Sequence, residues 1–348
     1  MRYVVIHDTD HDGVASAWLF DKHMHREDFV SNVPIEYFGI TAGKTDIPEF
    51  FPGDHVYIFD RSYPLETLLK LSQTVAVVVV IDHHKTFLDT LAFNYNHSGC
   101  IVRDVYTNSG LAALTISVDN LEILCDIRYS ACELVANYLD IKISISANRV
   151  EDYWFIAYIG DRDIWEFHLP MSKEINAGIH TFPLEFETFY KMFNGEIMPE
   201  QCEERGMGIL AYQEELFESL TTTTPHEVEV SDDGETIVVE RFTKIDTYEV
   251  YGEGDDKSVT IALVPMSVTP LISDLGSYLI TEYKFDVVIM WHPVYYPSHT
   301  NHYSVRSKID TCHISKELGG GGHALANGFR SVLSPEVIAS KFLRELTK

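Results

Sequence analysis

The stretch Val77-Val78-Val79-Val80-Ile81-Asp82-His83-His84 decides the fold of the first half of this chain. An unbroken run of β-branched residues is typical of a strand that is buried on both faces, as in a parallel sheet. The residues that end the run carry one carboxylate and two imidazoles, and they would lie at the carboxyl end of the strand. Open α/β sheets bind their ligands at this edge. We therefore predict a metal-binding site where the strand ends.

Three further apolar segments run into acidic residues in the same way. They are Tyr3–Ile6 before His7–Gly13, Val56–Phe59 before Asp60, and Phe155–Gly160 before Asp161, Arg162 and Asp163. We interpret each segment as a strand that delivers carboxylates to one edge of the sheet. Carboxylates a few ångströms apart cannot all stay ionised, and divalent cations are the usual remedy. For Asp163 the alternative interpretation is a salt bridge to Arg162.

The acidic residues after the first strand follow an alternating pattern. Asp8, Asp10 and Asp12 would point the same way in an extended chain, because side chains alternate with a period of two. Gly13 permits a tight turn into a helix, which places the acids near the positive end of the helix dipole. This segment therefore predicts a row of carboxylate ligands at a helix N-terminus.

The ligand types indicate the class of metal. His83 or His84 would supply an imidazole nitrogen beside the carboxylates. Mixed carboxylate and imidazole ligation suits Mn²⁺, Fe²⁺, Co²⁺ or Zn²⁺, whereas sites made of oxygen alone favour Mg²⁺ or Ca²⁺. The acids outnumber the ligands that one ion needs, so we predict two ions. Two-metal sites hold a phosphoryl group and activate a water for in-line attack.

Composition restricts the function. The chain has 348 residues, enough for two domains, and a formal net charge of −27. Long DNA or RNA is bound by Lys and Arg that neutralise many phosphates, so we expect a small phosphate compound and no long duplex. No apolar run approaches the roughly 20 residues that span a membrane, and the start of the chain lacks a signal-peptide pattern. Scattered cysteines without a Cys-x-x-Cys pair indicate reduced thiols and a cytoplasmic protein.

The order of segments predicts an α/β fold with two domains. Helix-like stretches at Val14–Lys22 and Leu65–Leu71 alternate with the strands, which indicates βαβ units and a mostly parallel sheet. Apolar residues at helical spacing over 109–140 are interpreted as further helices that cover the sheet. Residues 226–264 alternate like strands, and we predict a domain boundary near residues 200–225.

A second candidate site lies near the end of the chain, where the four glycines Gly319–Gly322 precede His323. Such a run costs conformational entropy, and it is useful where the backbone must approach a ligand or adopt a positive φ. Its N–H groups can form an anion-binding concavity, to which His323 and Arg306 would add phosphate contacts. The alternative interpretation is a flexible loop without a ligand.

Together these residues resemble the motifs of the DHH phosphoesterase superfamily, in order and over most of the chain. The matching segments are HDTDHDG at 7–13, Asp60 in FDRS, IDHH at 81–84, IGDRDIW at 159–165, SVRS at 304–307 and GGGGHALANGF at 319–329. The first segment is most similar to the form found in RecJ-type exonucleases. The last two resemble the DHH-associated C-terminal domain of the nucleotide-cleaving members.

The resemblance implies an architecture and a metal content. The DHH domain would comprise residues 1–200, with a mostly parallel sheet and flanking helices. A helical linker would follow at 201–225, and a smaller α/β domain at 226–348 would bind substrate, with the active site in the cleft between the domains. Two Mn²⁺ ions are implied, with Mg²⁺ or Co²⁺ as substitutes.

The resemblance also implies a role for each site residue. The ligands of one ion would be Asp8, Asp10 and Asp60, with His7 as the alternative to Asp8. The ligands of the other would be Asp12, Asp60, His83 and Asp161, so that Asp60 bridges the ions. The catalytic residues would be Asp82 and His84, with His84 against the scissile phosphate. The substrate-binding residues would be Arg306, His323, Gly320, Gly321 and Gly322.

The implied activity is hydrolysis of short oligonucleotides or linear dinucleotides to mononucleotides, as in nanoRNases. The alternatives are hydrolysis of cyclic dinucleotides or of 3′-phosphoadenosine 5′-phosphate, and a non-catalytic nucleotide sensor on the same fold. The sensor is disfavoured because each of the implied metal ligands is present. Tyr295 and Tyr296 would either stack a base or serve packing. A homodimer is a further expectation.

Overall fold

The computed structural model describes residues 1–25, 33–41, 47–94, 101–107, 110–143, 152–221, 227–232, 235–242, 245–250, 259–265, 271–294 and 300–347. The chain divides into two compact units, Met1–Ala211 and Tyr212–Lys348. Each unit contains one sheet with helices, so the predicted α/β fold class is confirmed. The boundary between the units falls within one helix, Pro199–Thr221.

The described part of the first unit contains a seven-stranded sheet. Its strands are β1 Tyr3–His7, β2 Ile35–Gly39, β3 His55–Phe59, β4 Val77–Asp82, β5 Ile101–Thr107, β6 Gly110–Val118 and β7 Leu121–Asp126. Its helices are α1 His11–Met24, α2 Leu65–Ser72, α3 Lys85–Asn94, α4 Ala131–Tyr138, α5 Trp154–Asp163, α6 Ser172–Ile179, α7 Phe186–Phe193 and α8 Pro199–Thr221. The strand order is β2-β1-β3-β4-β7-β6-β5. The first five strands in that order are parallel, and β6 and β5 pair antiparallel at one edge.

Strand β4 is buried on both faces, as its run of β-branched residues predicts. Val78 and Val80 pack into a core with helices α2 and α3, whereas Val79 and Ile81 pack into the opposite core with α1 and α4–α7. Helices on both faces shield the strand from water, which is why an unbroken apolar run is favourable there. The polar residues after β4 therefore emerge from a fixed core at the carboxyl edge of the sheet.

Two segments differ in secondary structure from the prediction: one predicted strand is a helix, and one segment predicted as helical is a strand. Phe155–Gly160, predicted as a strand, lies in helix α5, which packs in the same core as α1. A short apolar run fits a buried strand and a buried helix equally well. Residues 110–118, predicted within a helical region, form β6 and pair antiparallel with β7. Leu114 and Ile116 are both buried there, because spacing by two places them on one face of a strand.

The described residues of the second unit form an eight-stranded sheet. Its strands are β8 Glu227–Asp232, β9 Glu235–Phe242, β10 Ile245–Val250, β11 Val259–Pro265, β12 Val287–Val294, β13 Thr300–Ser307, β14 Gly321–Gly322 and β15 Ala326–Ser331, and its helices are α9 Ile272–Glu282, α10 Cys312–Glu317 and α11 Pro335–Leu346. The strand order is β14-β15-β13-β12-β11-β10-β9-β8. Helix α9 packs on one face of the sheet, and α10 and α11 pack on the other.

Within the described ranges, no helix is long and apolar enough to cross a membrane. Cys125, Cys132 and Cys202 are buried free thiols. Tyr295 and Tyr296, for which base stacking or packing is predicted, and Cys100, one of the cysteines predicted to be reduced, lie outside the residues that the structure describes.

Candidate metal centre

Three neighbouring strands end side by side at the carboxyl edge of the first sheet. His7 at the end of β1 is in register with Phe59 on β3, and Phe59 is in register with Ile81 on β4. The residues that follow these strands therefore emerge together, which brings the acids of segment 7–13 and Asp60 beside the Asp-His-His sequence. Only the fourth predicted strand is missing, because its residues form α5.

Three carboxylates converge on the imidazole of His83. Nε2 of His83 lies 3.2 Å from Oδ2 of Asp163, 3.3 Å from Oδ1 of Asp60 and 3.6 Å from Oδ2 of Asp12. The side chains of His83, Asp60 and Asp12 are almost fully buried. These four residues come from α1, α5 and the ends of β3 and β4, so the arrangement depends on the packing of the whole unit.

The oxygens at this centre fit a divalent cation. Among the described residues, Oδ1 of Asp60 and Oδ2 of Asp163 are buried and accept no hydrogen bond. Burial, together with the charges of Asp10 and Asp12, raises the pKa of Asp60 well above its ordinary value. Burial and the charges of Asp12 and Asp10 do the same to the pKa of Asp163. A bound cation would supply the missing partner and keep these carboxylates ionised.

Asp12 is oriented by a second helix. Its Oδ2 accepts a hydrogen bond from the backbone N–H of Ala131 at 2.7 Å, and its Oδ1 accepts one from Cys132 at 2.8 Å. These N–H groups belong to the first turn of α4, where backbone donors lack partners within the helix. A carboxylate has about four lone-pair positions, so two such bonds leave capacity for a cation.

Asp8 and Asp10 lie at the same edge but have local partners. Oδ1 of Asp10 accepts a hydrogen bond from Gly13 N–H at 2.9 Å and caps α1. Oδ1 of Asp8 accepts one from Thr9 N–H at 2.6 Å, and its Oδ2 lies 3.7 Å from Nη1 of Arg61. Burial and the charge of Asp10 raise the pKa of Asp8. The ring of His7 is within hydrogen-bond distance of the Asp8 carbonyl, at 2.7 Å.

Asp82 and His84 form a pair beside this centre, with Nδ1 of His84 at 3.9 Å from Oδ1 of Asp60. Oδ1 of Asp82, which is fully buried, lies 2.7 Å from Nδ1 of His84 and accepts a hydrogen bond from the backbone N–H of His83 at 2.8 Å. Burial alone would lower the pKa of His84, but the charge and hydrogen bond of Asp82 raise it to about 9. Burial alone would raise the pKa of Asp82, but His84 lowers it. The pair thus holds a proton on an imidazole that is 34% exposed.

Asp161 is predicted as a metal ligand, and in the structure its carboxylate binds backbone N–H groups. Its Oδ1 accepts a hydrogen bond from His168 N–H at 2.8 Å, and its Oδ2 accepts one from Leu169 N–H at 3.1 Å. Residues two apart on a helix are separated by about 200°, so Asp161 and Asp163 leave α5 on different sides. Asp163, rather than Asp161, is therefore the acid from this segment that reaches His83. The short apolar run before these acids fits a strand and a helix equally well, so the sequence contains no signal that separates Asp163 from Asp161.

Arg306 in the second unit lies on β13 and is tied to its surroundings. Its Nη2 donates a hydrogen bond to Oγ of Ser273 at 2.6 Å, and its Nη1 donates one to the Val305 carbonyl at 2.8 Å. Burial lowers the pKa of Arg306 to about 10, with Asp274 opposing the shift. The guanidinium thus stays charged at neutral pH, with donors left over for an anion, since it carries five.

The glycine run forms a tight hairpin. Gly321–Gly322 pairs antiparallel with β15, and a Cβ on Gly320 would lie 2.0 Å from the carbonyl oxygen of Gly328. Gly322 has a φ of +128°. His323 donates a backbone hydrogen bond to the Ala326 carbonyl at 2.8 Å. Close approach of two strands therefore accounts for glycine at several of these positions, and binding of an anion by this loop stays a prediction.

Comparison with known proteins gives distant similarities. No protein-family model matches the chain. An uncharacterized protein of Acanthamoeba polyphaga mimivirus is 22% identical over 278 residues, which are 79% of this chain and 52% of that protein. The chain thus spans about half the length of the curated relative it matches.

Three solved structures are similar over 99% of this chain. An exopolyphosphatase-related protein from Bacteroides fragilis has 12% identity, 92% of its chain covered and a TM-score of 0.49. RecJ from Thermus thermophilus in complex with Mn²⁺ has 12% identity, 52% covered and a TM-score of 0.48. The pGpG-specific phosphodiesterase PggH from Vibrio cholerae has 10% identity, 98% covered and a TM-score of 0.38. At such scores the function of this chain has to be argued from its own residues.

Proposed function

We propose that this chain is a metal-dependent phosphodiesterase of the DHH type that hydrolyses short oligonucleotides or linear dinucleotides to mononucleotides. One observation carries the proposal. Asp12, Asp60 and Asp163 approach Nε2 of His83 to 3.2–3.6 Å in a buried setting, and two of their oxygens accept no hydrogen bond from the described residues. Such an arrangement is unfavourable for stability unless cations are bound.

Two groups of residues would hold the metal. The first group is Asp12, Asp60, Asp163 and His83. The second is Asp8 and Asp10, with Asp60 shared between the groups. The mixture of carboxylate and imidazole favours Mn²⁺, with Co²⁺ or Mg²⁺ as substitutes. When bound, the ions would supply Lewis acidity toward a phosphoryl oxygen and lower the pKa of a water.

His84 would act directly on the substrate, and Asp82 would act through His84. The carboxylate of Asp82 fixes the orientation of the imidazole, and the pKa of His84, raised to about 9, keeps that imidazole protonated at neutral pH. A protonated imidazole donates strong hydrogen bonds to phosphate oxygens. It would thereby stabilise the charge that develops on the phosphoryl group during hydrolysis.

The second unit would bind the rest of the substrate. Arg306 and His323 would contact another phosphate or the end of the chain, beside the glycine run Gly320–Gly322. The net charge of −27 supports a short substrate, because long nucleic acids need many basic contacts. Cyclic dinucleotides and 3′-phosphoadenosine 5′-phosphate are the competing substrates, and a nucleotide sensor is the competing non-enzymatic function. A cytoplasmic location and a homodimer remain predictions.

Product analysis with Mn²⁺ tests the proposal. The substrates are a 5′-phosphorylated RNA dinucleotide, a longer RNA, a cyclic dinucleotide and pyrophosphate. We expect mononucleotides from the dinucleotide, with the release lost in Asp163→Asn and in His84→Ala but retained in the matched control Asp126→Asn, whose carboxylate binds Arg128 instead. Preference for the cyclic compound would reassign the substrate. Binding of Mn²⁺ and nucleotide without any turnover would replace the enzyme by a sensor.

A further inference from the structure

In the loop that follows α5, several bulky residues have a positive φ. Trp165, Phe167 and Met171 have φ values of +61°, +51° and +53°, in the left-handed region that favours glycine. Such conformations persist in non-glycine residues where the surrounding structure enforces them, and they cluster at functional sites. Three of them within seven residues indicate that this loop is shaped to present particular side chains.

Asp161 enforces this shape. Besides its side-chain bonds to the N–H groups of His168 and Leu169, its carbonyl oxygen accepts hydrogen bonds from Glu166 N–H at 3.0 Å and Phe167 N–H at 3.3 Å. One buried residue therefore binds four consecutive backbone N–H groups of the loop. The loop is ordered before any ligand arrives, which reduces the entropy that binding would have to overcome.

The loop presents aromatic rings flanked by cations. The guanidinium carbon of Arg162 lies 5.5 Å from the centroid of the Trp165 ring, and Nζ of Lys173 lies 5.4 Å from that of Phe167. The two rings meet edge to face, with centroids 4.9 Å apart. Trp165 is 38% exposed, whereas Trp18 and Trp154 are 0% and 3% exposed. Trp165 therefore contributes little to the core.

The aromatic loop follows Asp163 of the candidate metal centre directly in the chain. Trp165 follows Asp163 by two residues, so their Cα atoms are at most about 7.6 Å apart. Its backbone N–H donates a hydrogen bond to the Arg162 carbonyl at 2.9 Å, which folds the loop back onto the end of α5. Oδ2 of Asp163 in turn lies 3.2 Å from His83. The loop therefore begins next to a residue of the metal centre, and we take it as the candidate site for the base of a nucleotide whose phosphate is bound there.

We propose that Arg162, Trp165 and Phe167 form a stacking platform for the nucleobase of the bound substrate. This inference rests on the proposed phosphodiesterase function and adds a subsite to it. Aromatic side chains bind bases of any sequence, because every base has a π-face. The guanidinium of Arg162 lies over the Trp165 ring and the ammonium of Lys173 lies over the Phe167 ring. An Arg beside an aromatic platform adds a cation–π contribution to base stacking. Asp161 is a positioning residue for the platform.

Calorimetry on the Mn²⁺-loaded protein tests the platform. The two ligands are adenosine 5′-monophosphate and ribose 5-phosphate. Ribose 5-phosphate carries the phosphate without the base. We expect the monophosphate to bind more tightly than ribose 5-phosphate in the wild type. Trp165→Leu should weaken binding of the monophosphate about 5- to 150-fold and leave ribose 5-phosphate binding unchanged. Trp165→Phe should retain most of the affinity, because it keeps an aromatic ring.

The matched control is Phe51→Leu. Phe51 is 51% exposed and has the guanidinium carbon of Arg2 at 5.0 Å from its ring, but Arg2 precedes β1, at the opposite end of that strand from the metal centre. The substitution Phe51→Leu should not affect nucleotide binding. Equal weakening by Phe51→Leu, no effect of Trp165→Leu, or equal affinity of the wild type for both ligands would overturn the platform. Turnover is measured separately. If the protein cleaves the dinucleotide but Trp165→Leu does not affect binding of the monophosphate, the platform alone is refuted. If binding depends on Trp165 but the protein cleaves no substrate, the proposed function alone is refuted.

Discussion

Replacing Asp163 with Asn and Asp161 with Asn should perturb the protein in opposite ways, because the two carboxylates have different partners. Oδ2 of Asp163 lies 3.2 Å from Nε2 of His83 and accepts no hydrogen bond from a described residue. Both oxygens of Asp161 accept hydrogen bonds from backbone N–H groups. Asp163→Asn should therefore impair metal binding, and Asp161→Asn should lower the stability of the metal-free protein.

The magnitude for Asp161→Asn follows from its hydrogen bonds. Asn keeps one acceptor oxygen and turns an N–H₂ group toward the other backbone donor. A hydrogen bond to a charged group contributes roughly 1.5–3 kcal/mol. For a unit of this size that corresponds to a fall in Tm of roughly 3–12 °C. The metal-linked stabilisation should remain, at about 2.7 kcal/mol when the Mn²⁺ concentration is 100 times Kd.

The expectation for Asp163→Asn follows from its titration. Burial and the charges of Asp12 and Asp10 raise the pKa of Asp163 in the folded protein. The folded state then binds more protons than the unfolded state, so stability falls as the pH rises above about 4, toward the raised pKa. Asp163→Asn removes this loss. Without metal at about pH 8 it should be at least as stable as the wild type.

Thermal unfolding with EDTA and with a series of Mn²⁺ concentrations measures both effects on the same proteins. In EDTA at about pH 8, Asp163→Asn should have a Tm at least as high as that of the wild type, and its Mn²⁺ shift should be reduced. Asp161→Asn should show a lower Tm in EDTA and a normal Mn²⁺ shift. The opposite pattern, in which Asp161→Asn removes the Mn²⁺ shift and Asp163→Asn preserves it, would refute the placement of Asp163 at the metal centre.

Three further predictions concern single positions. In α8 a Cβ on Gly206 would lie 1.7 Å from the Glu174 carbonyl oxygen, whereas nothing lies within 4 Å of a Cβ on Gly208. Gly206→Ala should therefore destabilise the protein by about 1–3 kcal/mol, and Gly208→Ala should stabilise it by up to about 1 kcal/mol. Chemical denaturation measures both. Asp82→Asn should lower the pKa of His84 from about 9 toward 6.5 in the metal-free protein, which NMR titration of the imidazole would show. Trp165→Gly should cost less than about 1 kcal/mol of stability, because glycine relieves the positive φ, whereas the buried Trp18→Ala should cost about 3–5 kcal/mol; an equal loss from both would mean that Trp165 serves the core.

The sequence was sufficient for those parts of the fold in which one physical requirement dominates. The run from Val77 to Ile81 has to be buried on both faces, so its strand, the parallel pairing and the polar residues at its end could all be predicted. The helices predicted at Val14–Lys22 and Leu65–Leu71 are also confirmed, as α1 and α2. The register of β1, β3 and β4 then follows from the fold, and it brings Asp60 and His83 together.

The segment around Asp161 could not be predicted because two requirements give the same local pattern. Six apolar residues are equally favourable in a buried strand or in a buried helix, and only packing against α1 decides between them. That decision sets which acid faces His83, since a helix separates Asp161 from Asp163 by about 200°. The carboxylate of Asp161 does not face His83, and both of its oxygens bind the backbone of the next loop. The helix therefore places Asp163 beside His83 and Asp161 against the loop that contains Trp165.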